Sequence, residues 1–418
     1  MDKNISLSSP LQRISVLDSL RGFALLGVIL MHMLQRFGIA SLPSQSGIFQ
    51  FPELDAAFQW IGNNIIMGRF INIFAFLFGL SFFIQMDRAA KKGIDFRKRF
   101  VWRMILLIAM GLLSHSFYNV EVISVYGFFG LILILLYRVK NWILLTMVAF
   151  LLIGGPRIIQ SINHNSTLTS IQPAEQGQLT SREAPRVLPE HLANPSFLNS
   201  ARHNYEVRLQ GKLNYQFGLM GRGYVTFALF LLGLVIGRIR FFETIETQRE
   251  RNIKFFIGFV LATILFIWLQ NLFPTVQTRM LFRPDGQYIP FTVLLVKALD
   301  DISLVLFSSA LTVGFILLYQ SAKFGKLLEI LSPYGRTGLT NYIMQGVIGS
   351  LIFSIWAFGA AFSNWGATAL FMLGILIYAI QGFLSKYWII YFMYGPLEWL
   401  WRSLTYLKLQ PFIKNKGV

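Results

Sequence analysis

The chain has 418 residues, 55% of them hydrophobic and only 13% charged, against about 25% charged in a soluble domain. With a mean hydropathy of +0.56, this is the composition of an all-α polytopic membrane protein, and it excludes a soluble helical core. The net charge of +18 does not indicate a nucleic-acid partner, because the basic residues cluster beside apolar segments, as they do on the cytoplasmic side of a membrane; the absence of cysteine excludes disulfides, thiolate metal sites and cysteine nucleophiles.

The first twelve residues are polar and read as disordered. Residues 13–34, RISVLDSLRGFALLGVILMHML, are long enough to cross a bilayer as a helix at ~1.5 Å per residue, and they fit a retained first span better than a cleaved signal. This span carries Asp18, Arg21 and His32, which at ~100° per residue share one face within a ~60° arc. Ionisable groups inside a span are costly and call for a partner or a watery cavity, so that face should point inward. Arg21 and His32 stand ~16 Å apart along the axis, beyond contact but within reach of one long substrate.

Residues 38–60 read as a polar loop and 61–86 as a second span. The segment 87–103 has seven Lys/Arg against two Asp, which marks it as cytoplasmic. Further spans are expected at about 100–117, 122–137 and 142–159. Residues 160–215 are rich in Ser, Asn, Gln and Pro and read as one long external loop, within which Phe197, Ala201, Tyr205, Leu209 and Leu213 recur at a spacing of four, the pattern of an amphipathic helix on the outer surface. Spans follow at about 219–239, 255–273, 291–319, 337–358 and 367–384. The aromatic tail, broken by Gly395–Pro396, reads as an interfacial or half-inserted element. The chain is thus expected to be a single integral membrane domain, 1–418, with about ten transmembrane helices. It would lie in the bacterial cytoplasmic (inner) membrane with both termini in the cytoplasm, and every strongly basic loop agrees with that topology.

On this topology the intramembrane polar residues form two layers. His32, Arg69, His115, Glu121, Arg222, Lys297, Asp300 and Asp301 lie toward the outer side. Asp18, Arg21, Arg336, Asn341, Gln345, Glu398 and Arg402 lie toward the cytoplasm. Such residues are functional candidates, but Asp18–Arg21, Lys297–Asp301 and Glu398–Arg402 also have the spacing of local ion pairs, and Asn341 and Gln345 suit interhelical hydrogen bonds. His32 has apolar neighbours and no carboxylate within a turn. It is either a satisfied neutral histidine or a general base. His115 and Glu121 share one tight turn, where Glu121 could orient a histidine. No metal-ligand spacing, phosphate-binding loop or serine-nucleophile elbow is present. GLVIG (233–237) and GVIG (346–349) read as packing seams.

The stretches LDSLRGFALLGVIL, FAFLFGLSF, the E-x-x-S-x-Y-G turn at Glu121, GRTGLTNYIMQ and YGPLEWLWRSLTY together resemble the YeiB-like family of uncharacterised bacterial membrane proteins, which looks like a branch of the transmembrane acyltransferase superfamily. The resemblance runs over nearly the whole chain. It implies transfer of an acyl group, usually from acyl-coenzyme A, to a glycan or related acceptor across the membrane. It also implies an arginine in the first span followed eleven residues later by a catalytic histidine, the spacing of Arg21 and His32. Many YeiB-like members have asparagine at the histidine position, so His32 is closer to the proven acyltransferases. Glu121 stands where aspartate is commoner.

Two functions follow as expectations. The first is a membrane O-acyltransferase with no permanently bound cofactor and no metal. His32 would be its base, with His115 and Glu121 beside it. Arg21, Asp18, Arg336, Asn341 and Gln345 would form the donor or anion side, and Arg69, Lys297, Asp300 and Asp301 the acceptor side. Its partners would be the lipid bilayer, acyl-CoA and a cell-envelope glycan or lipid; the oligomeric state is left open. The second is a transporter or flippase of a small or lipid-like anion, using Arg21, Arg69 and Arg336. A sensor or assembly role would instead leave the polar passage tolerant of substitution. The acyltransferase reading predicts that His32 lines a cavity shared with Arg69 or with the His115–Glu121 turn; a His32 facing lipid, or packed by apolar side chains with no cavity beside it, would speak against the catalytic role and favour the transporter reading.

Overall fold

A computed structural model of the chain describes residues 15–39, 49–170, 189–245 and 248–414, apart from 283, 285 and 363. The polar N-terminal dozen and residues 171–188 of the long loop lie outside them. The described residues form helices and connections, with one isolated antiparallel bridge between Phe392 and Ile413. Helix α1 (Ser15–Leu34) is the axis of the bundle. Apart from the face that carries Asp18, Arg21 and His32 it is apolar, and it is buried on nearly every side, as a central helix must be.

Helix α2 (Pro52–Ile61) runs through a π turn toward α3 (Arg69–Lys91), with Gly68 left-handed at the join. Helices α4 (Arg97–His115) and α5 (Ile123–Leu136) form a tight hairpin. Next come α6 (Asn141–Ile153) and α7 (Gly155–Ser170), then α8 (Phe197–His203), a π turn, and α9 (Leu209–Phe217). Helix α10 (Arg222–Arg238) packs on α3 and α6, and α11 (Arg249–Asn271) packs on α12 (Phe291–Tyr319). After α13 (Ala322–Glu329), α14 (Ser332–Arg336) packs on α1. The chain closes with α15 (Gly338–Phe353), α16 (Ala367–Tyr391) and α17 (Pro396–Tyr406).

Every segment expected to span is helical, but length and composition separate them. Five helices can cross a membrane, namely Ser15–Leu34, Pro52–Lys91, Arg249–Asn271, Phe291–Tyr319 and Ala367–Tyr391. The count rises to seven if each of two bent pairs is one span: Asn141–Ile153 with Gly155–Leu168, bent by 46°, and Phe197–Phe217 with Arg222–Arg238, bent by 55°. The shortfall from ten has physical causes. Helix α4 opens with Arg97, Lys98, Arg99 and Arg103. Helices α5 and α15 have 14 and 16 residues, short of the ~20 that a ~30 Å core requires.

The aromatic tail is a helix docked on α4. Trp401 Nε1 donates to the Arg103 carbonyl at 3.0 Å, Trp102 Nε1 donates to the Leu404 carbonyl at 3.0 Å, and the Arg103 guanidinium lies 3.8 Å from the Trp401 ring centroid. Within the stretch 160–215, α7 continues to Ser170 where a loop was expected, and Phe197–Phe217 is helical where the spacing of Phe197 to Leu213 indicated an amphipathic helix. This helix is pinned by its polar groups. Asn204 Nδ2 donates to the His115 and Ser116 carbonyls, and the Tyr205 hydroxyl donates to the Leu112 carbonyl at 2.5 Å, all at the end of the α4–α5 hairpin.

Candidate functional site

A cavity of about 270 Å³ opens beside Arg21, between α1, α3, α4, α5, α15 and α17. Its wall is apolar (Phe74, Phe78, Phe82, Leu107 and Ile123), and its charged groups are Arg21, Arg103, Arg336 and Glu398. Arg21 is held from two sides: Nη1 pairs with Asp18 at 2.6 Å and Nη2 donates to the Ser81 hydroxyl at 2.7 Å. Asp18 is buried while the Arg21 side chain is 27% exposed, so the pair anchors a cation that still faces the cavity. Glu398 is committed elsewhere, because its carboxylate accepts the backbone N–H groups of Leu339 at 2.7 Å and Thr340 at 3.1 Å and the Thr340 hydroxyl at 2.6 Å. It thus satisfies the orphan donors at the start of α15. The i, i+4 pair expected between Glu398 and Arg402 does not form. Arg402 lies over the rings of Tyr394 and Tyr406 instead, with centroids at 4.9 and 5.3 Å. The cavity therefore presents a surplus of guanidinium charge over an apolar floor.

Asn341 and Gln345 do not line this cavity. Asn341 Nδ2 donates to the Thr337 and Ser385 hydroxyls at 2.9 and 3.0 Å, and Gln345 Nε2 to the Tyr334 hydroxyl at 2.7 Å. Both residues bond α15 to its neighbours in the manner expected of membrane helices.

Tyr342 forms part of the cavity wall. Its ring lies 6.3 Å from Phe74 and 6.4 Å from Tyr118, and the edge of Tyr118 meets His32 at 6.1 Å. Two tyrosine rings therefore separate the cavity from His32. On its other face the imidazole stacks on Phe37 at 5.0 Å and 20°. Both covering rings are seated on α15. A Cβ at Gly346 would fall 1.9 Å from the Tyr118 ring, and one at Gly349 would fall 2.4 Å from the Phe37 ring. The GVIG seam is thus a seat for the cover of His32. Phe37 is presented by a turn in which Arg36, Phe37 and Gly38 have φ of +48°, +53° and +66°, and Arg36 Nη2 ties that turn to the Trp365 carbonyl at 3.0 Å. His32 Nδ1 is buried with no hydrogen-bond partner among the described residues, which costs roughly 1–3 kcal/mol for such a group.

From the turn between His115 and Glu121, the Tyr118 ring meets His32. The side chains of His115 and Glu121 are engaged elsewhere: His115 Nε2 bonds the Asn204 carbonyl at 3.0 Å, and Glu121 accepts the Ser124 N–H at 3.0 Å, the Ser124 hydroxyl and the Lys212 ammonium. Glu121 and Lys212 are both buried at this ion pair. Arg69 is not brought to His32. It donates to the Asn63 and Met67 carbonyls at 2.9 and 2.8 Å and lies 5.4 Å from the Phe307 centroid, closing the break between α2 and α3. Lys297 bonds Asp300 at 2.8 Å and Asp301 at 2.7 Å, and Asp301 also pairs with the fully buried Arg157. Arg222 joins Asn72, which bonds Ser308. This layer is a network locking α3, α7, α10 and α12 together.

A smaller cup of about 40 Å³ lies at the His32 end of α1, with Gly38, Ile39, Phe117 and Asn119 on one side and His191, His203 and Arg208 on the other. His32 lines neither cavity, and Arg69 is held at the α2–α3 break, so the expectation that His32 shares a cavity with Arg69 or with the His115–Glu121 turn is not met. Burial, with His203 and Arg208 nearby, holds the His191 imidazole below the usual histidine range.

The polar inventory of the spans missed Ser81, Arg103, Arg157 and Lys212. Arg157 had a signal, an arginine directly after Gly154–Gly155–Pro156 at the end of an apolar run. Lys212 had none, since its partner is 91 residues away.

A family model described as "Protein of unknown function (DUF418)" matches residues 236–408, a stretch that holds Arg336, Asn341, Gln345 and Glu398 but not Arg21 or His32. The chain is 27% identical over 422 residues to "Uncharacterized protein YxaH" of Bacillus subtilis (strain 168), covering 97% of this chain and 98% of that one. It is 26% identical over 407 residues to an uncharacterised 39.9 kDa protein in the amylase 3' region of Bacillus acidopullulyticus, covering 97% of each. It is 24% identical over 420 residues to "Uncharacterized protein YeiB" of Escherichia coli (strain K12), covering 97% of this chain and 99% of that one. Over nearly its whole length the chain is thus similar to uncharacterised proteins, YxaH and YeiB among them.

Proposed function

We propose that this protein is a membrane acyltransferase of the inner membrane whose donor, an acyl-CoA, engages the Arg21 cavity from the cytoplasm and whose acceptor hydroxyl meets His32 from the outer side. The supporting observation is the cavity itself: guanidinium groups over an apolar floor, a lining suited to an anionic head with an acyl chain. His32 would take the proton as the hydroxyl oxygen attacks the acyl carbonyl and the coenzyme A thiolate leaves. In the structure the route between cavity and base is closed by Tyr342 and Tyr118, so transfer requires those rings to move. The topology belongs to the same proposal, with ten crossings and both termini inside, the shorter helices crossing as part of the bundle.

The test is coenzyme A release by proteoliposomes given acyl-CoA and an acceptor mixture. His32→Ala should abolish release while melting like the parent. Unchanged release would overturn the role of His32. The second reading, transport of a lipid-like anion, is favoured by one observation: His32 lines neither cavity. It predicts Arg21-dependent movement of an acyl anion across the vesicle, with no thioester cleavage and no effect of His32→Ala.

A further inference from the structure

Several cations near the His32 end are held by oxygens of the bundle: Lys212 by Glu121, Arg157 by Asp301, Lys297 by Asp300 and Asp301, Arg222 by Asn72, and Arg36 and Arg69 by backbone carbonyls. For Arg208 no carboxylate partner is found among the described residues. It lines the small cup together with His191 and His203, and no Asp or Glu is part of that lining. The two imidazoles stack at 3.8 Å and 22°. Nearly parallel rings cannot converge their lone pairs on one ion, and no group of three metal-ligand side chains occurs among the described residues, which excludes a metal site built from this pair. Polar atoms are left over. His191 Nδ1 and Asn119 Oδ1 are buried without hydrogen-bond partners among the described residues, and the Asn119 amide can present either its oxygen or its NH₂. The volume of about 40 Å³ exceeds the roughly 10–15 Å³ that one water needs but is far below that of a sugar or nucleotide site.

We propose that this cup binds a small oxyanion, a phosphate-sized group carried free or at the end of a larger molecule, through Arg208, His203 and His191. Arginine supplies the fork that matches an oxyanion, and the imidazoles supply N–H donors that become stronger once an anion draws a proton to them. The site goes beyond the acyl-transfer reading and does not rest on it. It does lie next to the cover of His32, because Gly38 and Ile39 continue the chain from Phe37 while Phe117 and Asn119 flank Tyr118.

The experiment is a titration of the purified full-length protein with inorganic phosphate in phosphate-free buffer, read by calorimetry, with no acyl donor present. A failure of the acyltransferase reading therefore leaves its result untouched. Saturable binding is expected, weakened about tenfold by Arg208→Gln, as for loss of one charge-assisted bond, and severalfold by His203→Gln. Arg202→Gln, on the exposed side of the same helix, should leave the affinity unchanged. Competition by glycerol phosphate would assign the cup to the end of a larger molecule, and its absence would assign it to the free ion. Lack of saturable binding by the parent protein would overturn the proposal, as would equal losses in Arg202→Gln and Arg208→Gln. Should Arg208→Gln not fold, His203→Gln decides, and unchanged affinity there would overturn the assignment.

Discussion

The Glu398 carboxylate accepts the Leu339 N–H at 2.7 Å, so the last helix of the chain supplies the cap of a helix that begins nearly sixty residues earlier. Two stretches that resemble the YeiB-like pattern, GRTGLTNYIMQ and YGPLEWLWRSLTY, are physically one device. Glu398→Ala should lower stability by about 1–3 kcal/mol, a lost cap plus unsatisfied buried donors. Glu398→Gln should lose less. Melting of the detergent-solubilised variants checks both, and equal melting of Glu398→Ala and parent would show that the cap contributes nothing.

Arg21→Ala should cost about 3 kcal/mol, the low end for removing one partner of a buried pair, because Asp18 is buried while the arginine itself is partly exposed. Arg21→Lys should recover most of the stability through a surviving charge but less of any anion binding, since a lysine cannot hold Asp18 and Ser81 in the same forked geometry. A parallel loss of melting temperature and of anion affinity in the lysine variant would contradict this separation.

The seat of Tyr118 on Gly346 makes that glycine sensitive. A methyl group there falls 1.9 Å from the ring, so Gly346→Ala should destabilise by roughly 1–3 kcal/mol through overpacking. Adding Tyr118→Ala to Gly346→Ala should return part of that loss. Strictly additive effects in the double-mutant cycle would show that the two positions do not interact.

Phe37→Ala removes the ring stacked on His32 and should expose the imidazole. Diethyl pyrocarbonate should then modify His32 several times faster, measured by mass spectrometry of the peptide that contains it. An unchanged rate would mean that another group covers the ring.

The native chain contains no cysteine, so single cysteines report topology directly. A cysteine at Gln210 should label from outside intact cells and one at Lys92 should not, if the basic segment after α3 is cytoplasmic. Labelling at Lys92 would reverse the orientation.

Helices were legible wherever an apolar run declared itself, and Asp18–Arg21 and Lys297–Asp301 were legible because a helix brings i, i+3 and i+4 together. The same rule misplaced Glu398, whose i+4 neighbour Arg402 lost to the free N–H groups of α15. Local spacing says nothing about donors arriving from another helix. For the same reason the tight turn suggested a histidine as the group Glu121 could orient, whereas its partner is Lys212, on the amphipathic helix that the spacing of Phe197, Ala201, Tyr205, Leu209 and Leu213 indicated but whose docking site it did not. The cavity was foreseeable from Arg21, but its wall was not, because Phe74, Tyr342 and Tyr118 are indistinguishable in sequence from any other aromatic residues of a span. Length and composition alone do not carry the expected count through α4, whose first turns are basic, or through α5 and α15, which are short.

The turn that presents Phe37 has one more consequence. Arg36 and Phe37 both occupy the left-handed region, where an ordinary side chain costs of order 1–3 kcal/mol. The covered arrangement of His32 is therefore a latch under load: swinging Phe37 off the imidazole lets two residues relax, and part of the energy of uncovering returns as it happens. A cover built this way opens more often than its buried contacts alone would allow. Arg36→Asn and Arg36→Ala both give up the bond to the Trp365 carbonyl, but asparagine tolerates the left-handed region, so diethyl pyrocarbonate should modify His32 more slowly in the asparagine variant than in the alanine variant; an equal or faster rate would mean that the turn carries no load.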